Sequence, residues 1–165
     1  MTAATGGAAS RETTINVPPG LPMVEIVREF DAAPELVYRA HVDPDLAMAW
    51  VGPSDIASRV EHWDARSGGS WRYVSSRGDD EFGFYGSFHE LRPPERIVQT
   101  FTYEGSPDGV ALEVLTLTPL PGGRTRLRAV SIVETVEARD AFVAGGMETG
   151  VVEGYRKLDD LLGTL

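Results

Sequence analysis

From Met23 the run MVEIVREF alternates hydrophobic and polar positions with a period of two, which predicts a strand. Asp31 then precedes AAPELVYRAHV, in which Pro34 near the start of a helix needs no backbone donor. Asp31 or Ala33 precedes the first turn, and Val37, Ala40 and His41 share one helical face. DPDLAMAW continues as a second short helix, ended by a Gly52-Pro53 turn. Six runs follow that read as strands: SRVEHWDA, SWRYVSS, EFGFYGSFHEL, RIVQTFTY, VALEVLTLTPL and RTRLRAVSIVE. Short clusters of Gly, Pro, Asp and Ser separate them, as hairpin turns require. After Thr135 the period turns helical. Met147, Val151, Tyr155, Leu158 and Leu162 fall on one face, and Gly145-Gly146 divides a short lead-in helix from a long terminal one.

Consecutive strands joined by short turns imply an antiparallel sheet, here of seven strands. Natural twist curls such a sheet, and the long amphipathic helix is its obvious cover. The pattern therefore predicts an α+β fold: two short helices after the first strand, and a curved sheet wrapped around a C-terminal helix. A cavity can remain between sheet and helix. Gly150 and Gly154 lie on or beside the helix's buried stripe, where glycine costs roughly 1 kcal/mol against alanine. Either space is needed there, or two backbones touch.

Residues 1–22 do not share this patterning. Ala, Thr, Gly and Pro fill most of the segment, and its only charges, Arg11 and Glu12, cancel. It reads as a flexible tail ahead of one domain at 23–165; the alternative, that part of it docks, falls mostly on Ile15 to Leu21. MTAATGGAAS, with no early cation and no apolar stretch, does not read as a secretory signal.

Composition changes the picture by exclusion. The net charge of −10 argues against nucleic acid or an anionic membrane surface as partner, since phosphate binding needs clustered cations. The absence of cysteine removes disulfides, thiolate metal sites and cysteine nucleophiles, and fits a reducing, cytoplasmic setting. No apolar run approaches the roughly 18 residues of a membrane span. Nucleophile-elbow, phosphate-loop, dinucleotide-binding and zinc-helix motifs are missing as well. His62 and Asp64 share a strand face without a third ligand, so no metal and no cofactor is expected.

The candidate chemistry lies on the inward faces. His41 points inward on its helix. Trp50, Trp63, Trp71, Tyr73, Phe84, Phe88, Phe101 and Tyr155 form an aromatic set that is at once core and pocket wall. By alternation Gln99 accompanies Ile97 and Phe101, Glu61 accompanies Trp63, and Glu113 accompanies Leu115 and Leu117. A buried lone carboxylate must be paired or protonated, so Glu61 and Glu113 are the two acids to follow. Either acid stands in the cavity, or its strand is phased so that it faces water.

These residues carry a family resemblance. FDAAPELVYRAHVDPDLAMAWVGPSD resembles the opening signature of the bacterial activator of heat-shock-protein-90 ATPase homologue family. WDARSGGSWRYV, GSFHELRPPERIVQTF and GGRTRL are similar to its following blocks in order, and GMETGVVEGYRKLDDLL resembles its terminal helix. The resemblance spans about residues 23 to 162. It implies the helix-grip fold of the START-related SRPBCC superfamily, with a hydrophobic cavity between long helix and sheet. Where relatives often carry bulkier residues, this chain has His41, Val51 and Val151, which would enlarge the pocket.

The expectation is a cytoplasmic binding protein for a small apolar or aromatic molecule. His41, Trp50, Glu61, Trp63, Trp71, Tyr73, Phe84, Gln99, Phe101, Glu113, Met147, Val151 and Tyr155 are its candidate contacts. A polyketide cyclase- or aromatase-like enzyme using a buried carboxylate is the second expectation, and a chaperone-interacting module the third. An interior carboxylate in a deep pocket favours the enzyme, a deep apolar pocket the binder, and a filled core with a large exposed apolar patch the module. A homodimer is the working expectation for assembly.

Overall fold

Residues 12–165 are described in the computed structural model of the protein. The first strand, β1 (Thr14–Asn16), is followed by β2 (Met23–Phe30), α1 (Pro34–Val42) and α2 (Pro44–Trp50). Then come β3 (Ala57–Trp63), β4 (Ser70–Arg77), β5 (Asp80–Arg92), β6 (Arg96–Tyr103), β7 (Ala111–Leu120) and β8 (Arg124–Ile132). The chain ends in α3 (Val136–Ala144) and α4 (Met147–Leu162). One antiparallel sheet runs in the order β1-β2-β8-β7-β6-β5-β4-β3. This is an α+β fold consistent with the helix-grip arrangement.

The sheet has eight strands rather than the seven that the alternation predicts. The addition is β1, which pairs Thr14, Ile15 and Asn16 with Val27, Ile26 and Glu25 of β2. Asn16 Nδ2 donates to the Glu25 carboxylate at 2.9 Å, and Ile15 packs against the core. Beyond β1, the buried Arg139 of α3 donates to the carbonyls of Pro18 and Leu21. Three residues are too few to show a period, so nothing in the local pattern announces this strand. Residues 1–11 of the expected tail lie outside the described residues.

Local chemistry sets the helix boundaries. Asp43 caps α2 by accepting from the amides of Asp45 and Leu46. Thr135 caps α3 by accepting from the amide of Ala138 at 3.0 Å. Gly146 separates α3 from α4 at φ 88°, a left-handed conformation that suits glycine. The helical stripe of α4 then buries Tyr155, Leu158 and Leu162 against Val24, Ile26 and Phe30 of β2, Leu115 and Leu117 of β7, and Leu127 of β8.

Gly154 answers the question raised by the two helix glycines. A Cβ there would stand 3.1 Å from the Trp50 carbonyl oxygen and 3.6 Å from the Gly52 amide nitrogen. Glycine at 154 therefore lets α4 touch the turn after α2. The partner is that turn and not the sheet. Lys157, one turn on, donates to the carbonyls of Val51 and Pro53 and fixes the same contact.

Candidate functional site

Between the sheet and the helices α1, α2 and α4 lies a cavity of about 230 Å³. Two of its walls hang on the end of α1. The last carbonyls of a helix have no partner within it. Here Trp50 Nε1 donates to the Ala40 carbonyl and Trp63 Nε1 to the Val42 carbonyl, each at 2.9 Å. Both indoles are thus fixed by hydrogen bonds as well as by packing. Trp50 stacks on Tyr155 at 5.9 Å, and His41 meets the Trp50 ring edge-on at 4.8 Å. On the sheet side Trp71 stacks on Tyr73 at 5.5 Å, and Trp63 abuts Phe88. Trp71 Nε1 is buried with no partner among the described residues.

A polar rung crosses the floor. Phe88, Gln99, Glu113 and Ser131 are successive register partners on β5, β6, β7 and β8, and all four line the cavity. Gln99 Nε2 donates to Glu113 Oε2 at 3.0 Å. His41, Tyr73 and Glu113 are surrounded by protein, yet each retains accessible surface. That surface is cavity wall, not the outside of the molecule.

Enclosure shifts their ionisation. Burial raises the Glu113 pKa above the usual carboxylate value, and the Gln99 bond draws it part of the way back. Burial also raises the pKa of the Tyr73 and Tyr155 hydroxyls, with the nearby Glu113 charge adding to it. His41 moves the other way, down to about 4, because desolvation penalises the imidazolium more than the Val37 carbonyl favours it. A neutral ring with Nδ1 at 2.7 Å from that carbonyl carries its proton on Nδ1.

The cavity brings together His41, Trp50, Trp63, Trp71, Tyr73, Gln99, Phe101, Glu113, Val151 and Tyr155. Three other candidates stand outside it. Glu61 is exposed and pairs with Arg59 at 3.0 Å. The β3–β4 register shifts between Val60 and His62, so Glu61 has no partner on β4 and does not follow Trp63 inward. Phe84 belongs to a neighbouring ring cluster with Tyr73, Phe101 and Tyr103. Met147 packs at the start of α4 against the core and does not reach the opening. Met48, Val51, Phe88 and Ser131 also line the cavity. The alternation that aims Leu127 inward also aims Ala129 and Ser131. The short α2 gives no comparable signal for Met48.

His62 bonds Ser70 at 2.9 Å and Asp64 pairs with Arg66, so that strand face is occupied with its own surface contacts. No group of three metal-ligating side chains occurs among the described residues, nor any helix long and apolar enough to cross a membrane.

Comparison with known proteins agrees with the architecture. The family model described as activator of Hsp90 ATPase homolog 1-like protein matches residues 31–163. A crystal structure of a Rhodobacter sphaeroides protein is 32% identical, with a TM-score of 0.85 over 93% of this chain and 100% of that one. A Chromobacterium violaceum protein is 29% identical, with a TM-score of 0.76 over 86% of this chain and 96% of its own. An Arthrobacter aurescens protein solved by NMR is 24% identical and shares the fold, with a TM-score of 0.84 over 92% of each chain. No curated protein matches the chain at a significant level.

Proposed function

The chain belongs to the activator of Hsp90 ATPase homolog 1-like family, and on that premise we propose that it binds a small molecule with an apolar or aromatic body. The molecule is held between the sheet and α4, and polar groups on the cavity wall orient it. The observation that carries this reading is the ring-lined cavity of about 230 Å³. An apolar cavity of roughly 150 Å³ is enough to hold benzene, so a one- or two-ring compound is the matching size class. Burying about 300 Å² of apolar surface at roughly 25 cal/mol per Å² gives about 7 kcal/mol gross, from which rigid-body entropy removes several. Binding in the micromolar to millimolar range follows unless polar anchors add to it. We place the protein in the cytoplasm as part of the same proposal, supported by a chain without cysteine.

Native mass spectrometry of the purified protein tests the reading directly. A co-purifying small molecule, released on denaturation, is the expected result. A protein that carries nothing and binds no apolar dye would remove the proposal.

Glu113 favours a second reading, acid–base catalysis on the bound molecule. Burial of this enclosed carboxyl favours its protonated form, and such a group can deliver a proton to a substrate and take it back. Turnover of a polyketide-like substrate by the native chain, lost in Glu113→Gln, would distinguish an enzyme from a binder. The open cavity gives the third expectation, a chaperone-interacting module with a filled core, no support.

A further inference from the structure

We infer that the cavity is built for a protonated organic amine with an apolar or aromatic body, its ammonium set against the Glu113 carboxylate. This rests on the ligand-binding reading and assigns a charge to the ligand. Among the described residues, the wall contains one carboxylate and no lysine or arginine. The hydrogen-bond partner of that carboxylate is the neutral Gln99 amide. An ionised carboxylate inside protein is costly without a countercharge, and here the protein does not supply one. His41 cannot serve, because burial keeps its ring neutral at ordinary pH.

Among the remaining polar groups of the wall, the Trp71 N–H is an unpartnered donor, and the others offer acceptors. With its proton on Nδ1 and directed to the Val37 carbonyl, His41 keeps Nε2 as a bare acceptor on a ring that lines the cavity. The Tyr73 and Tyr155 hydroxyls can accept as well as donate. Against that single N–H, the wall sets the Glu113 carboxylate, His41 Nε2 and the hydroxyls of Tyr73, Tyr155 and Ser131 as acceptors, which suits a head group rich in N–H donors. Ring faces complete the fit. Trp71 over Tyr73 and Trp50 over Tyr155 offer stacked aromatic surface beside the acid, and the face of an aromatic ring attracts a cation. An anionic ligand would meet Glu113 with no cation to offset it. A neutral one would leave the carboxylate unpaired or force a proton onto it. The chain's net charge of −10 also favours approach of a cation over an anion.

Three probes with one ring and three charges test the inference on the full chain: benzylamine, benzyl alcohol and benzoate, titrated by calorimetry at neutral pH. The amine should bind at least about tenfold tighter than the alcohol, and benzoate should give no heat of binding. In Glu113→Gln the amine should fall to the level of the alcohol while the alcohol keeps its affinity, which also shows that the variant's cavity is intact. An amine no tighter than the alcohol overturns the inference, as does a preference that survives Glu113→Gln. Either result leaves the ligand-binding reading standing. Absence of binding by all three probes to the wild-type chain overturns both.

Discussion

The interior under α4 has two unlike halves. Phe30, Val37, Leu127 and Leu158 are fully buried, and mostly aliphatic groups close over one another there. Around Trp50, Trp63, Trp71 and Tyr73 the side chains are larger, yet about 230 Å³ stays open. Bulk alone therefore does not fill an interior. Rings fixed by N–H bonds to the end of α1 and by stacking cannot collapse inward as flexible aliphatic chains do. Close packing marks the first half and open volume the second.

The packed half should be the more sensitive. Leu158→Ala is expected to cost about 3–4 kcal/mol in denaturant unfolding, since no space adjoins the lost atoms. Phe101→Ala, which enlarges an existing opening, should cost less than half of that per buried atom removed. Equal costs would abolish the contrast between the halves.

Acid should act through the hollow half. The His41 pKa is about 4 in the fold against 6.5 when free, so the unfolded chain takes up the proton first as pH falls. Stability contributed by the neutral ring is whole above 6.5, declines below it and is gone near 4. The shift amounts to roughly 3 kcal/mol. His41→Asn keeps a donor for the Val37 carbonyl and removes the titration. Its stability should therefore fall less than that of the wild type between neutral pH and pH 4, and parallel curves would refute the assignment.

Glu113 has the opposite sign. Its raised pKa means that the fold resists ionisation, so this contribution is intact below the ordinary carboxylate value of 4.5 and is lost as pH rises through the folded value. Glu113→Gln should melt higher than wild type at neutral pH, with the gap closing below 4.5. A gap that persists in acid would mean that the gain is not electrostatic.

Val151→Trp should have the smallest thermodynamic effect, within about 1 kcal/mol, because the new ring enters open space. It should nevertheless abolish binding of an apolar dye such as ANS. A loss of about 1–3 kcal/mol would show that the opening cannot accept a ring.

The legibility of the chain follows the same division. Alternation is reliable where a strand pairs without interruption, which is why Gln99 and Glu113 on β6 and β7 could be aimed inward from sequence. It fails where one extra residue enters a ladder, and in β3 that extra residue is Glu61 itself. Phase also gives direction but not depth along a strand. Phe84 and Phe88 share a face of β5, yet only Phe88 reaches the cavity. The left-handed Gly146 was legible as a break between helices. The role of Gly154 was not, because its partner is a turn about a hundred residues earlier, and only the assembled fold brings the two together.

The two tethered indoles and Trp71 are the three tryptophans of the chain, and all three stand in the cavity wall. Tryptophan emission from this protein, excited selectively at the red edge where tyrosine does not absorb, is therefore emission from its cavity wall. A molecule that enters is expected to change the intensity, wavelength or polarisation of that light. The architecture that holds the space open also supplies an optical gauge of whether it is filled.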